Sequence, residues 1–205
     1  MWLQKQHSHK MGDAMAYRAN YTQNPLPCTT EGACCFIFND GFIPRVLTVD
    51  ILAQSGCGDV CCRGPDACSE FSAGVGTISA RSIRCDGDFA CTSVQTLNVT
   101  QGTSECTGDD ACARSNMVYG GPESCLNCIG KEACEDVDVQ VKAGTCLQIF
   151  CSGEDACTGL SVTREQDSNC WYTKTTDAAA PQGCQEAQEG EGCPGSCPVP
   201  ACCAG

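Results

Sequence analysis

The sequence predicts an all-β fold: a right-handed parallel β-helix, or β-solenoid, of about five to six disulfide-stapled coils with irregular cysteine-rich terminal segments. A frame Cys-x-Gly-x-x-Ala-Cys recurs five times, and its first cysteines are 23, 21, 22 and 23 residues apart. An alternation of apolar and polar residues follows the second cysteine, which indicates strands and not helices. Cysteine accounts for 23 of the 205 residues, a density typical of disulfide-built secreted proteins.

The frame predicts the corner of a coil, because glycine permits a sharp bend and alanine in every frame indicates a tight interior site. The frames occupy residues 62–68, 85–91, 106–112, 128–134 and 151–157. The frame cysteines are Cys62, Cys68, Cys85, Cys91, Cys106, Cys112, Cys128, Cys134, Cys151 and Cys157. They pair either within a frame or between adjacent coils. The within-frame pairing is preferred, because every turn offers it.

Each coil is expected to contain two or three short strands. The segment after Cys134 is the clearest example, with Val137, Val139 and Val141 on one face and Asp136, Asp138 and Gln140 on the other. A second strand comes before the next frame, as at Leu147–Phe150. The period resembles that of leucine-rich repeats, but their leucine pattern is absent.

Four segments are expected. Residues 1–27 are predicted to be an N-terminal arm, and residues 28–61 an N-terminal cap with strands at 35–38 and 45–52, because the end of a solenoid exposes an open core. The repeat spans residues 62–170, and residues 171–205 form a C-terminal cap or tail rich in Cys, Gly and Pro. Three additional repeat cysteines, Cys125, Cys146 and Cys170, follow a frame by 12 or 13 residues and are expected to form a further column.

Composition also limits location and partners. A net charge of −13 disfavours nucleic acid and anionic membranes, and no apolar run approaches the length of a membrane span. The cysteines indicate a secreted or cell-surface protein or, alternatively, one in an oxidising organelle lumen. The first ten residues lack the apolar core of a secretory signal, so a targeting peptide is expected to have been removed. Asn20 and Asn98 begin sequons for N-linked glycans on exposed loops.

Acidic residues recur at the frame corners and predict a carboxylate stripe, which would bind calcium weakly or simply face solvent. The stripe residues are Asp88, Asp109, Asp110, Glu132, Glu154 and Asp155. The spacing of Cys125 and Cys128 permits zinc binding or thiol exchange, but both fit the repeat and are interpreted as structural disulfide residues. His7 and His9 are interpreted as solvated. No cofactor other than calcium is predicted.

No catalytic motif is present in the sequence, so no enzyme activity is predicted. Asp136 and Asp138 are the best candidates for a carbohydrate-cleaving carboxylate pair, although a solvent-facing role is favoured. Thr92, Thr107 and Thr158 are not expected to align into the regular array that an ice-binding surface requires.

The frame, with its period of about 22 residues, resembles the cysteine-rich β-helical repeats of secreted and surface proteins of algae and other protists. The resemblance covers residues 62–170. It implies a disulfide-rich parallel β-helix outside the cytoplasm, and it implies no activity.

These features lead us to expect a non-enzymatic structural protein, the rigid building block of an extracellular fibre, coat or surface appendage. Its partners would be further copies of itself or other structural subunits, reached through the N-terminal arm and the C-terminal tail. An odd cysteine count leaves one thiol free or paired with another chain. The alternatives are an accessory structural subunit of a large complex facing an oxidising lumen, for example a photosynthetic one, and a carbohydrate-active β-helix enzyme.

Overall fold

The computed structural model describes residues 35–39, 59–65, 67–68, 77–100, 102–188 and 192–193, with the backbone alone at 35–39 and 77–79. These residues contain strands and turns and no helix. Strands of successive coils stack along a common axis and form two parallel sheets, so the predicted β-solenoid is confirmed.

The chain alternates between an eight-stranded sheet A and a five-stranded sheet B, and every neighbouring pair of strands is parallel. Sheet A contains β1 (Cys35–Asn39), β2 (Asp59–Arg63), β4 (Ser82–Asp86), β6 (Gly102–Thr107), β8 (Glu123–Ile129), β10 (Cys146–Ser152), β12 (Asn169–Lys174) and β13 (Gln185–Glu186). Sheet B contains β3 (Thr77–Ala80), β5 (Thr96–Val99), β7 (Asn116–Tyr119), β9 (Asp138–Val141) and β11 (Ser161–Arg164).

Each coil consists of one strand of sheet A, a corner formed by the frame, and one strand of sheet B. Four successive coils begin at β4, β6, β8 and β10, and β12 begins the last coil. A partly described coil that begins at β2 precedes them. Sheet A begins with β1, at the position of the first strand expected in the cap, and it continues past residue 170 through β12 and β13. The strand expected at 45–52 lies outside the described residues.

The interior is narrow and is filled by alternate residues of both sheets. In β9 and the two residues before it, Val137, Val139 and Val141 are buried as predicted, whereas Asp136, Asp138 and Gln140 are exposed. The sixth position of every frame is a fully buried alanine. Among the described residues, Tyr119 has the largest completely buried side chain. Burial raises the pKa of Tyr119, and its hydroxyl lies 3.5 Å from Met117 Sδ.

The frame glycines approach one another from coil to coil, and this contact requires glycine. A Cβ on Gly87 would lie 2.5 Å from Gly64 O, and one on Gly108 would lie 2.6 Å from Gly87 O. Both glycines also have positive φ, +141° and +125°. A side chain would therefore meet backbone that cannot rotate away, so coils could not stack at the strand spacing.

The corners also place residues other than glycine in the left-handed region, which the sequence pattern did not predict. At the second corner Phe89, Cys91 and, just after the frame, Ser93 have φ of 59°, 57° and 59°, and the same positions are left-handed in the next two coils. This conformation costs about 1–2 kcal/mol per residue. It is offset here by bonds between coils: Phe89 N donates to the next coil and Cys91 N to Ala67 O of the previous coil, both at 2.8 Å.

Candidate functional site

The frame cysteines form a column of five disulfides along the core. Cys62, Cys85, Cys106, Cys128 and Cys151 are in register across sheet A. Each is bonded to the second cysteine of its own frame, with Cα–Cα distances of 5.8–6.0 Å. This is the within-frame alternative. The pairing follows from the tight corner, which brings positions one and seven of the frame together.

Successive frame disulfides lie close together. The Sγ atoms of Cys62, Cys85 and Cys91 are all within 4.8 Å of one another, and all three residues are buried. Such a cluster has the geometry of a soft-metal site, but each of these sulfurs is already in a disulfide. Cysteine binds a metal as a thiolate, so these sulfurs cannot form a metal site while they are in disulfides.

The additional cysteines do not form a column, so that prediction was wrong. Cys125 is in register with Gln148, Cys146 with Glu123, and Cys170 with Leu147. The coils differ in length between the corner and the next strand, and equal spacing in sequence therefore does not give equal register. Cys146 bonds to Cys193 and Cys170 to Cys184, across 47 and 14 residues.

Cys125 and Cys128 do not act as a dithiol pair. They are three residues apart on β8 and therefore point to opposite faces of the sheet. Cys128 faces the core and bonds to Cys134, while Cys125 faces outward, is 7% exposed and is disulfide-bonded as well. Cys61, on the same outer face, is also disulfide-bonded.

The predicted acidic stripe is an edge of the solenoid that is partly neutralised. Carboxylate oxygens of Asp110, Glu132 and Glu135 lie within 4.8 Å of one another. Glu135 was not anticipated, because it follows the frame and does not belong to it. Arg114 pairs with Glu135 at 3.1 Å and Lys131 with Glu132 at 3.4 Å, and the hydrogen bond to Glu132 raises the pKa of Lys131.

Other stripe residues are used in hydrogen bonds between coils. Asp88 accepts from Asp109 N at 3.2 Å, and Asp109 accepts from Lys131 N at 3.3 Å. Asp155 and Glu154 are exposed at the corner of the fifth frame. Calcium binding along this edge stays a prediction.

The two candidate catalytic carboxylates occupy different kinds of position. Asp136 lies in the corner with φ 51°, and its backbone N donates to Thr158 O at 2.8 Å. Asp138 begins β9 and accepts a hydrogen bond of 2.6 Å from the Ser161 hydroxyl. Both are exposed, which fits the solvent-facing role that the sequence favoured.

Two smaller predictions concern the surface. Asn98 lies within β5 and is half-buried, so its sequon is on a strand and not on an exposed loop. Asn20, His7 and His9 lie outside the described residues. Thr92 and Thr158 follow frames and Thr107 is in β6, so these threonines do not form one array.

The C-terminal end of sheet B contains a cleft of about 430 Å³. It is lined by Val162, Arg164, Glu165, Gln166, Ser168 and Gly183. Glu165 is held by Lys142 Nζ at 2.9 Å and by Ala143 N at 3.1 Å, and these bonds lower the pKa of Glu165. The cleft thus combines a neutralised carboxylate with the last strand of the sheet.

Comparison with known proteins adds no assignment, since no protein-family model, no curated protein and no solved structure matches the chain. The likeness to algal and protist surface proteins is therefore a resemblance of the frame alone. What the structure supports is a cysteine-rich β-solenoid.

Proposed function

We propose that this chain is a non-enzymatic structural protein, a rigid building block of an extracellular fibre, coat or surface appendage. The column of five within-frame disulfides is the observation that carries the proposal. Each disulfide fixes its own corner, and the corner N–H groups bond to the coils on either side. The result is a rod held together along its whole described length, which suits a load-bearing unit.

The cysteine inventory supports assembly through the termini. All sixteen cysteines from Cys61 to Cys193 are disulfide-bonded. The total is 23, so an unpaired cysteine of this chain can only be one of Cys28, Cys34, Cys35, Cys57, Cys197, Cys202 and Cys203. The thiol available for a bond between chains therefore belongs to the segments that flank the repeat.

The disulfides are also the support for an oxidising, extracellular location. Among the described residues there is no helix with the length and apolar character needed to cross a membrane. Glycans on Asn98 would project from the outer face of sheet B, where the strand places this side chain.

The test is the state of the oxidised, full-length chain at increasing concentration. We expect analytical ultracentrifugation to show concentration-dependent polymers, and electron microscopy to show them as thin rods or fibres. A chain that stays monomeric at high concentration would contradict self-assembly. Co-purification from its source with membrane subunits of a large complex would instead favour the accessory-subunit alternative.

A further inference from the structure

Part of the outer face of sheet A is buried, although every described strand belongs to one of the two sheets and none lies across this face. Side chains alternate between the faces of a sheet, so Thr103 and Cys125 point away from the core that Ser104 and Leu126 enter. Thr103 and Cys125 are in register on β6 and β8. Thr103 is nevertheless 0% exposed, and Cys125 is 7% exposed. A segment other than the described strands therefore covers them.

This cover does not extend over the strands that follow. Gln148 and Trp171 continue the row of Thr103 and Cys125 on β10 and β12, and both are half-exposed. Phe150, on the same face of β10, is 36% exposed. The covering segment therefore reaches β8 and leaves the outer face of β10 and β12 partly open.

The disulfides narrow the choice of a partner for Cys125. The sixteen cysteines from Cys61 to Cys193 are all disulfide-bonded, and seven described bonds account for fourteen of them. Cys61 and Cys125 remain, on strands three spacings or about 14 Å apart, which is too far for a bond between them. The candidates for a bond within the chain are therefore Cys28, Cys34, Cys35, Cys57, Cys197, Cys202 and Cys203.

The C-terminal tail is already fixed beside Cys125. Cys146 faces outward on β10, bonds to Cys193 and is in register with Glu123. Cys125 lies one strand away from Cys146 and two residues further along, so their Cα atoms are about 8 Å apart. Cys197 follows Cys193 by four residues, which span up to about 13 Å when extended. Cys197 is therefore within reach of Cys125.

The length and composition of the tail also fit this face. Residues 194–205 contain three prolines and no charged side chain. A proline-rich chain is extended at about 3.1 Å per residue, so these residues could span about 37 Å, whereas β10 and β6 are only about 10 Å apart. An uncharged segment also adds nothing to the repulsion within a chain of net charge −13.

We propose that residues 194–205 form a strap across the outer face of sheet A, bonded to Cys125 through Cys197 and covering Thr103. The strap holds the end of the stack to the middle of the solenoid, and it removes Cys197 from the cysteines that could join two copies. A bond within one chain forms in a monomer and in an assembly alike. Its absence would therefore leave the proposed function standing.

The first test is disulfide mapping of the oxidised full-length protein that runs as a monomer on a non-reducing gel. After digestion by a non-specific protease without reduction, fragmentation of the linked peptides identifies each pair. We expect Cys125 to be linked to Cys197. A link to Cys202 or Cys203 would retain the strap and correct only its anchor. A link to a cysteine before Cys61 would overturn the proposal, since the cover would then belong to the N-terminal segments.

Two serine variants check this bond independently. In Cys197→Ser, we expect Cys125 to become a thiol that iodoacetamide modifies after denaturation without reduction. In the matched control, Cys57→Ser, Cys125 should stay unmodified. Any other pattern would contradict Cys197 as the partner of Cys125.

Carboxylate labelling tests the cover itself. Glu105 lies on the outer face of β6 with its side chain 14% exposed, whereas Glu123 on β8 is exposed. Deletion of residues 196–205, which retains Cys193 and is followed by capping of thiols, should raise carbodiimide labelling of Glu105 severalfold and leave that of Glu123 unchanged. Circular dichroism verifies that the variant is folded. Unchanged labelling of Glu105 in the folded variant would show that another segment covers the face, and it would overturn the proposal.

Discussion

The frame corners and the last coil use disulfides in opposite ways. In each frame the bond joins two residues of one corner, six positions apart. The last coil has Lys174 in register with Cys151 and no frame disulfide. The segment after β12 is held instead by Cys170–Cys184, within the last coil, and by Cys146–Cys193, which joins it to β10 of the preceding coil; the separations are 14 and 47 residues.

The two types of disulfide therefore have different roles: the frame bonds fix the shape of each corner, and the long bonds hold the end of the stack in place. Loop-closure entropy gives about 2 kcal/mol for the short frame loop and about 4 kcal/mol for the longest loop. A frame bond therefore contributes less individually, but it fixes a backbone corner that every neighbouring coil must match. The long bonds leave each corner unchanged and hold the end of the stack against its body.

The largest effect is expected from Gly108→Ala, in the middle of the corner column. The new Cβ would meet Gly87 O at 2.6 Å and would also impose strain at φ +125°. Overpacking and strain together should lower the free energy of unfolding by about 4 kcal/mol. Guanidinium unfolding followed by circular dichroism, with disulfides intact, measures this change.

The matched control for that prediction is Gly144→Ala. Gly144 also has positive φ, +73°, but a Cβ there meets nothing within 4 Å. Its cost should be about 1 kcal/mol, from backbone conformation alone. Similar losses in the two variants would show that contact between coils is not what requires glycine in the frame.

A medium effect is expected when one bond of each type is removed. Cys106→Ala/Cys112→Ala should lower the free energy of unfolding by about 3 kcal/mol, from loop entropy and a small core cavity. Hydrogen exchange should accelerate in the coils on both sides. Cys170→Ala/Cys184→Ala should instead expose mainly residues 175–188. If the terminal pair loosened the central coils as much as the frame pair did, the proposed division of roles would be wrong.

The smallest effect on stability is expected from a substitution of Glu165, which directly follows β11. Bonds from Lys142 and Ala143 lower the pKa of Glu165, so its contribution is present at neutral pH and is lost as pH falls through the lowered pKa. Glu165→Gln should therefore reduce the fall in Tm between about pH 5 and about pH 2. Glu123→Gln, at another exposed glutamate, is the control: if it reduced that fall as much as Glu165→Gln does, the bonds from Lys142 and Ala143 would not be the cause.

Local pattern was sufficient to predict the repeat. The alternation after Cys134 correctly indicated which valines are buried, and the recurrence of the frame identified the corner. The same reasoning failed for Cys125, Cys146 and Cys170, because register depends on how many residues each coil uses to return. That number is decided by turn geometry, which spacing within the sequence does not reveal.

The sequence by itself determined the repeating unit: a coil of about 22 residues with a cysteine-bounded corner and a strand of alternating polarity. Only the tertiary structure showed why the corner holds its form. Phe89 and Cys91 adopt left-handed backbone because their N–H groups bond to neighbouring coils, and Gly108 is required by the backbone of Gly87. Within the described residues, the stacked structure also shows that the last strand of sheet B, β11, comes before the last strands of sheet A, β12 and β13. These features depend on groups about 20 residues apart in the chain, which come together only when the coils stack.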